Sequence, residues 1–147
     1  KNINAKCSSN DSNASPIIWD DDSVEIFLSP DSRVPDKTIQ IIVNSEGYYW
    51  DACWNSREFA NDTPHKYNSG LMVKASTDKD SWSIEMAIPK KNLAVDGVNP
   101  TNEWRANIGR NRWVSEIDSK SIERSSWSPT LSPVWKTPSR FGYLKFQ

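Results

Sequence analysis

At 147 residues the chain is sized for one domain with a single buried core. Its 18 basic and 19 acidic residues are interspersed and leave a formal net charge of -1, which excludes the basic face of an electrostatic nucleic-acid binder. Hydrophobic residues make up 36%, scattered in short segments, and no apolar run nears the ~20 residues of a membrane-spanning helix.

The chain opens on Lys-Asn-Ile-Asn without an initiator methionine or signal peptide, so it is expected to be a mature or excised piece of a longer protein. Residues 3–8 read as its first strand. Val24, Ile26 and Leu28 then alternate with Glu25 and Phe27, and Ile39, Ile41 and Val43 alternate with Gln40, Ile42 and Asn44. Residues 54–70 are polar and aperiodic, a long loop. Trp82, Ile84, Met86 and Ile88 share one face, opposed by Ser83, Glu85 and Ala87, and a short helical turn is expected at residues 89–93. Trp104, Ala106 and Ile108 oppose Arg105, Asn107 and Gly109. Residues 112–135 read as a second long loop, and residues 141–146 as the last strand. Period-two alternation indicates antiparallel sheets with one buried face each. Turn chemistry at Ser29-Pro-Asp, Ser45-Glu-Gly and Asp96-Gly-Val-Asn-Pro separates the strands. The expected fold is all-β, a two-sheet antiparallel sandwich spanning residues 1–147 that lacks its first strand, because nothing precedes residues 3–8 to pair beside them.

Two cysteines, Cys7 and Cys53, are compatible with one disulfide of an exported protein or with two unrelated buried thiols. Asn10-Asp-Ser, Asn13-Ala-Ser and Asn61-Asp-Thr match the glycosylation sequon, which matters only in a eukaryotic secretory host. The single histidine, His65, sits in a polar loop. A haem would need axial partners such as a histidine with a methionine, and Met86 belongs to an apolar strand face. Nothing matches a nucleophile elbow, a phosphate loop or a cysteine zinc pattern.

Eight tryptophans are many for this length, and they divide by context. Trp82 and Trp104 sit on apolar strand faces and are expected in the core; Trp127, between serines, is expected to be structural; Trp50, Trp54 and Trp113 are ambiguous. Trp19 directly precedes three aspartates, and Trp135 lies among prolines beside Lys136, surroundings that favour rings at the rim. Two indole faces with a nearby carboxylate, Glu25, suit a sugar ring, which has apolar C–H faces and a hydroxyl rim. Asp20, Asp21 and Asp22 also admit a calcium site, since hard oxygen ligands cluster in this way, or a solvated turn. As a glycosidase pair with Glu25 they fail, because that chemistry needs two carboxyl groups placed across a bond.

The segments at residues 19–28, Gln-Ile-Ile-Val-Asn at 40–44, Trp-Ser-Ile-Glu-Met-Ala-Ile-Pro at 82–89, Trp-Arg-Ala-Asn-Ile at 104–108, and Ser-Trp-Ser-Pro at 126–129 through Phe-Gly-Tyr-Leu at 141–144 resemble family 9 carbohydrate-binding modules. The similarity covers residues 17–147 in the expected order. It implies a DOMON-like, jelly-roll-like sandwich, secreted or extracellular or periplasmic, serving as the non-catalytic accessory domain of a polysaccharide-active enzyme. No cofactor is required; structural calcium occurs in such modules. The family's clamp of two tryptophans matches Trp19 and Trp135, and its hydroxyl-accepting strand glutamate matches Glu25. Gln40 and Asn44 are the implied further polar contacts. The family's sugar-binding arginine falls on Ile42, and its asparagine before the second tryptophan falls on Ser132. Arg110 or Arg112 is then the candidate to supply the missing guanidinium. These two departures leave a second reading open, a structural or adhesive sandwich with a degenerate sugar site.

Overall fold

Alternation becomes pairing in the computed structural model, which describes residues 3–8, 10, 15–55, 63–114, 122–131 and 135–147. The strands in chain order are β1 (Ser23–Ser29), β2 (Thr38–Asn44), β3 (Tyr49–Trp54), β4 (His65–Lys66), β5 (Met72–Thr77), β6 (Trp82–Ala87), β7 (Glu103–Trp113), β8 (Ile122–Ser126) and β9 (Gly142–Lys145). Seven of them form one antiparallel sheet in the order β4-β3-β2-β1-β7-β8, with β9 also paired to β7, and β5-β6 form a second sheet. The β2–β3 turn closes on Gly47, whose φ of +86° suits a residue without a side chain. Among the described residues there is no α-helix, only 3-10 turns, one of them at Lys90–Leu93 where the helical turn was expected. No helix of the described residues is long and apolar enough to cross a membrane.

The register decides which side chains meet. Glu25 stands opposite Ile42 and Gly109, and Ser23 opposite Asn44 and Asn111, so these residues share one face of the large sheet. That face carries a cluster in which Phe27, Ile42, Trp50 and Trp54 are covered by Ile18, Trp135 and Phe141. The other face carries Leu28, Ile39, Ile41, Val43 and Trp104, which pack with Leu71, Val73, Ile84 and Met86 of the small sheet and its approach. The molecule is therefore a β-sandwich with a second apolar layer on the outer side of its large sheet.

Several expectations change here. Residues 3–8 form no strand; the Lys6 and Cys7 amides donate to the Asp21 carboxylate at 2.7 and 3.0 Å, so a side chain replaces a neighbouring strand. The two stretches read as loops contain β4 and β8, and β3 and β5 were not anticipated. β3 (Tyr-Trp-Asp-Ala-Cys-Trp) is covered on both faces and so shows no polar alternation. Cys7 belongs to the first cluster and Cys53 to the second, on opposite sides of one sheet, which excludes a bond between them in this fold. Trp104 is core as expected. Trp82 is half-buried and stays outside the cluster that Ile84 and Met86 join.

Candidate functional site

Where β1, β2, β3 and β7 lie side by side, polar residues of equal parity fall next to one another beneath an aromatic cover. The carboxylate of Glu25 accepts from Gln40 Nε2 at 2.9 Å and from Asn111 Nδ2 at 2.8 Å. Gln40 Oε1 in turn accepts the indole N–H of Trp54 at 2.9 Å. Glu25 keeps 7% of its surface and Gln40 none. Alternation against Val24 and Ile26 points Glu25 away from one core, as expected, but straight into the other. Burial pushes its carboxyl above the usual range, against the opposing pull of the Asn111 and Gln40 hydrogen bonds and of the Lys136 and Arg124 charges.

The aromatic pair flanks this network. Trp19 is the penultimate residue of a 3-10 turn (Ser15–Asp20), is half-buried, and rests on Trp50 with ring centroids 5.0 Å apart at 58°. Trp135 is 7% exposed and presses on the backbone of Gly109, directly opposite Glu25, where any Cβ would collide with the indole. Both rings belong to the same cluster. Lys136 follows Trp135 and places its ammonium 4.2 Å from the centroid of the Trp54 ring; burial lowers its basicity, and the Glu25 charge works the other way.

The remaining expected site residues go elsewhere. Asn44 is fully buried: its Nδ2 donates to Cys7 O at 3.1 Å and to Asp21 Oδ2 at 2.9 Å, and its Oδ1 accepts from the Glu46 and Tyr48 amides. Ile42 is fully buried, so the place of the family arginine is core. Arg110 pairs with Val24, not with Glu25, and so lies on the opposite face of the sheet; Arg112 shares that parity and forms an ion pair with Glu123 at 2.8 Å. Neither arginine meets the Trp19–Trp135 cluster. Ser132 lies outside the described residues.

The three aspartates have separate tasks. Both Asp21 oxygens accept N–H groups, from Lys6, Cys7 and Asn44, and both Asp22 oxygens do so, from Asn4 at 3.1 Å and Trp113 at 2.7 Å. Only Asp20 turns its side chain to solvent. Oxygens committed to amide donors do not suit a calcium ion, and among the described residues no group of three or more His, Cys, Asp or Glu side chains could hold a metal.

A family model described as carbohydrate family 9 binding domain-like matches residues 2–147. The chain belongs to that family. Domains of this family bind without catalysing. Among solved structures, a Bacteroides uniformis ATCC 8492 protein proposed to bind carbohydrate superposes with a TM-score of 0.70 at 18% identity, over 99% of this chain and 68% of its own. A family 9 carbohydrate-binding module from Caldicellulosiruptor kristjanssonii, in complex with glucose, gives 0.61 at 17% identity over 95% of this chain and 65% of its own. The same organism's module in complex with cellotriose gives 0.60 at 17% identity, over 97% and 62%. The chain thus spans about two thirds of the length of these structures. No curated protein matches it.

Three residues that the structure of this family 9 domain brings into the candidate site went unrecognised in the sequence: Asn111, Trp54 and Lys136. For Asn111 a signal existed, since it shares the parity of Gly109, extended by one repeat of the strand. Trp54 and Lys136 carry no pattern that separates them from other residues of their type.

Proposed function

We propose that this domain binds carbohydrate without catalysis, stacking one sugar unit between Trp19 and Trp135, with Glu25 as hydroxyl acceptor and Lys136 as donor in place of the family arginine. The reading rests on the convergence of Trp19, Trp135 and Glu25 on one face of a family 9 sandwich. Related modules hold glucose and cellotriose, so a β-glucan is the first substrate class to consider. Gln40 and Asn111 hold the Glu25 carboxylate in place, and a hydroxyl reaching it must displace part of its cover.

Affinity from such a site is modest. Two ring faces that each desolvate ~40 Å² of sugar contribute ~2 kcal/mol at ~25 cal/mol per Å². A hydrogen bond to a charged group adds ~1.5–3 kcal/mol. Association costs several kcal/mol and offsets most of that sum, so the expected dissociation constant is about 1 mM or weaker. Attachment to a polysaccharide-active enzyme outside the cytoplasm would raise the effective concentration and make such weak binding useful for targeting.

A second reading has its own observation. Gln40 and Asn44 spend their side-chain groups within the protein, and Ile42 is buried where an arginine would have met ligand. That favours a structural or adhesive sandwich with a degenerate site. Tryptophan fluorescence titrated with cello-, xylo- and manno-oligosaccharides, native and borohydride-reduced, separates the two. Saturable quenching by one series, lost in Trp19→Ala and Trp135→Ala, supports sugar binding. No response to any series at millimolar concentration supports the structural reading.

A further inference from the structure

Behind the Glu25 network, on the other face of β1 and β7, lies a groove of 290 Å³ floored by Val24 and Ile84 and lined by Asp80, Ser81, Trp82 and Arg110. Two observations set it apart from a packing gap. Trp82 has the inward parity of Ile84 and Met86, yet its ring stays outside the core they enter and remains part-exposed. Arg110 is exposed and, like Asp80, forms no hydrogen bond or ion pair through its side chain among the described residues. The groove therefore combines one large ring, a carboxylate acceptor and a five-donor guanidinium around an apolar floor. Its volume is close to the ~300 Å³ at the low end of small-molecule sites, which is room for a single sugar ring.

We propose that this groove is a second saccharide site, for one neutral pyranose unit, with Trp82 as stacking face, Asp80 accepting from hydroxyls and Arg110 donating to them. The inference deepens the carbohydrate-binding reading and rests on it. A neutral unit is specified because Asp80 would repel the carboxylate that Arg110 alone would attract. The placement has a consequence. Val24 is the chain neighbour of Glu25, and Arg110 the neighbour of Gly109 under Trp135. Successive side chains of a strand point to opposite faces, so the two sites lie back to back across one sheet, and one domain could hold two glycan segments at once.

Site-resolved NMR titration of the full 147-residue chain with glucose, cellotriose and glucuronate tests this directly. Cellotriose and glucose are expected to move the Trp82 indole N–H and the backbone amides of Asp80, Ser83 and Arg110 saturably. Arg110→Ala, an exposed substitution, is expected to weaken that set about tenfold while signals near Trp135 and Glu25 respond as before. Trp135→Ala is expected to do the reverse. Groove signals that stay still while those near Trp135 move would overturn the second site and leave the first intact. Stillness at both sites would overturn both readings for these sugars. Tighter response to glucuronate than to glucose would overturn the neutral assignment, and an unchanged groove response in Arg110→Ala would overturn the role given to that residue.

Discussion

The two faces of the β1–β7 pair are made from the same strands and finished in opposite ways. On one, Glu25 bonds with Gln40 and Asn111 while Asn44 bonds with Cys7 O and Asp21, until almost nothing polar is left over, and Trp135 closes against Gly109. On the other, a two-stranded sheet covers the apolar residues of β2 and β3 but leaves Arg110 and Trp82 bordering open space. Alternation in a strand separates its two faces; it does not tell which of them is covered. A buried polar face is held by its own hydrogen bonds, whereas charged groups on an open face remain available to a ligand.

The largest effect expected from breaking this contrast lies at Asp21. Asp21→Ala leaves the Lys6 and Cys7 amides and the Asn44 amide without their acceptor, and a loss of about 3 kcal/mol or more is expected in urea unfolding. Asp20→Ala, at an exposed carboxylate of the same run, should stay within about 0.5 kcal/mol. Equal losses for the two would show that the run acts as a unit.

A smaller effect is expected at Gly109. Gly109→Ala drives a methyl into the Trp135 ring; the strain should cost about 1–3 kcal/mol and shift the indole, weakening the response to sugar. Unchanged stability with unchanged binding would mean that the ring is not seated there.

The smallest concerns proton linkage at Glu25. Its folded-state pKa stands above the ordinary glutamate value of 4.5, so the folded chain holds its proton more tightly than the unfolded chain. That contribution to stability is fully present below 4.5 and is lost as pH rises through the raised folded value. The stability of wild type relative to Glu25→Gln should therefore fall as pH rises from below 4.5. Urea midpoints of the two proteins at an acidic and an alkaline pH give the sign.

Much of the fold was legible because β1, β2, β6 and β7 alternate apolar with polar residues, a pattern β2 keeps although both its faces are buried. β3 was hidden because tryptophan, alanine and cysteine fall on both of its covered faces, and residues 3–8 imitate a strand while pairing with a carboxylate. At the candidate site, local context singled out Trp19, Trp135 and Glu25, but Trp135, expected at the rim, is buried in the core cluster because its ring packs on the bare backbone of Gly109. Arg110 was drawn to the wrong face although its parity with Ile108 already placed it on the far side. The commitment of Asn44 and Asp21 to each other joins residues 23 positions apart, a contact that depends on register and leaves no trace in local pattern.

The most direct test of the central claim is a crystal structure of the chain soaked with cellotriose. A sugar ring stacked between Trp19 and Trp135, with a hydroxyl on the Glu25 carboxylate, is the result predicted. Trp135 still seated on Gly109, Glu25 still closed by Gln40 and Asn111, and no sugar on that face would contradict it.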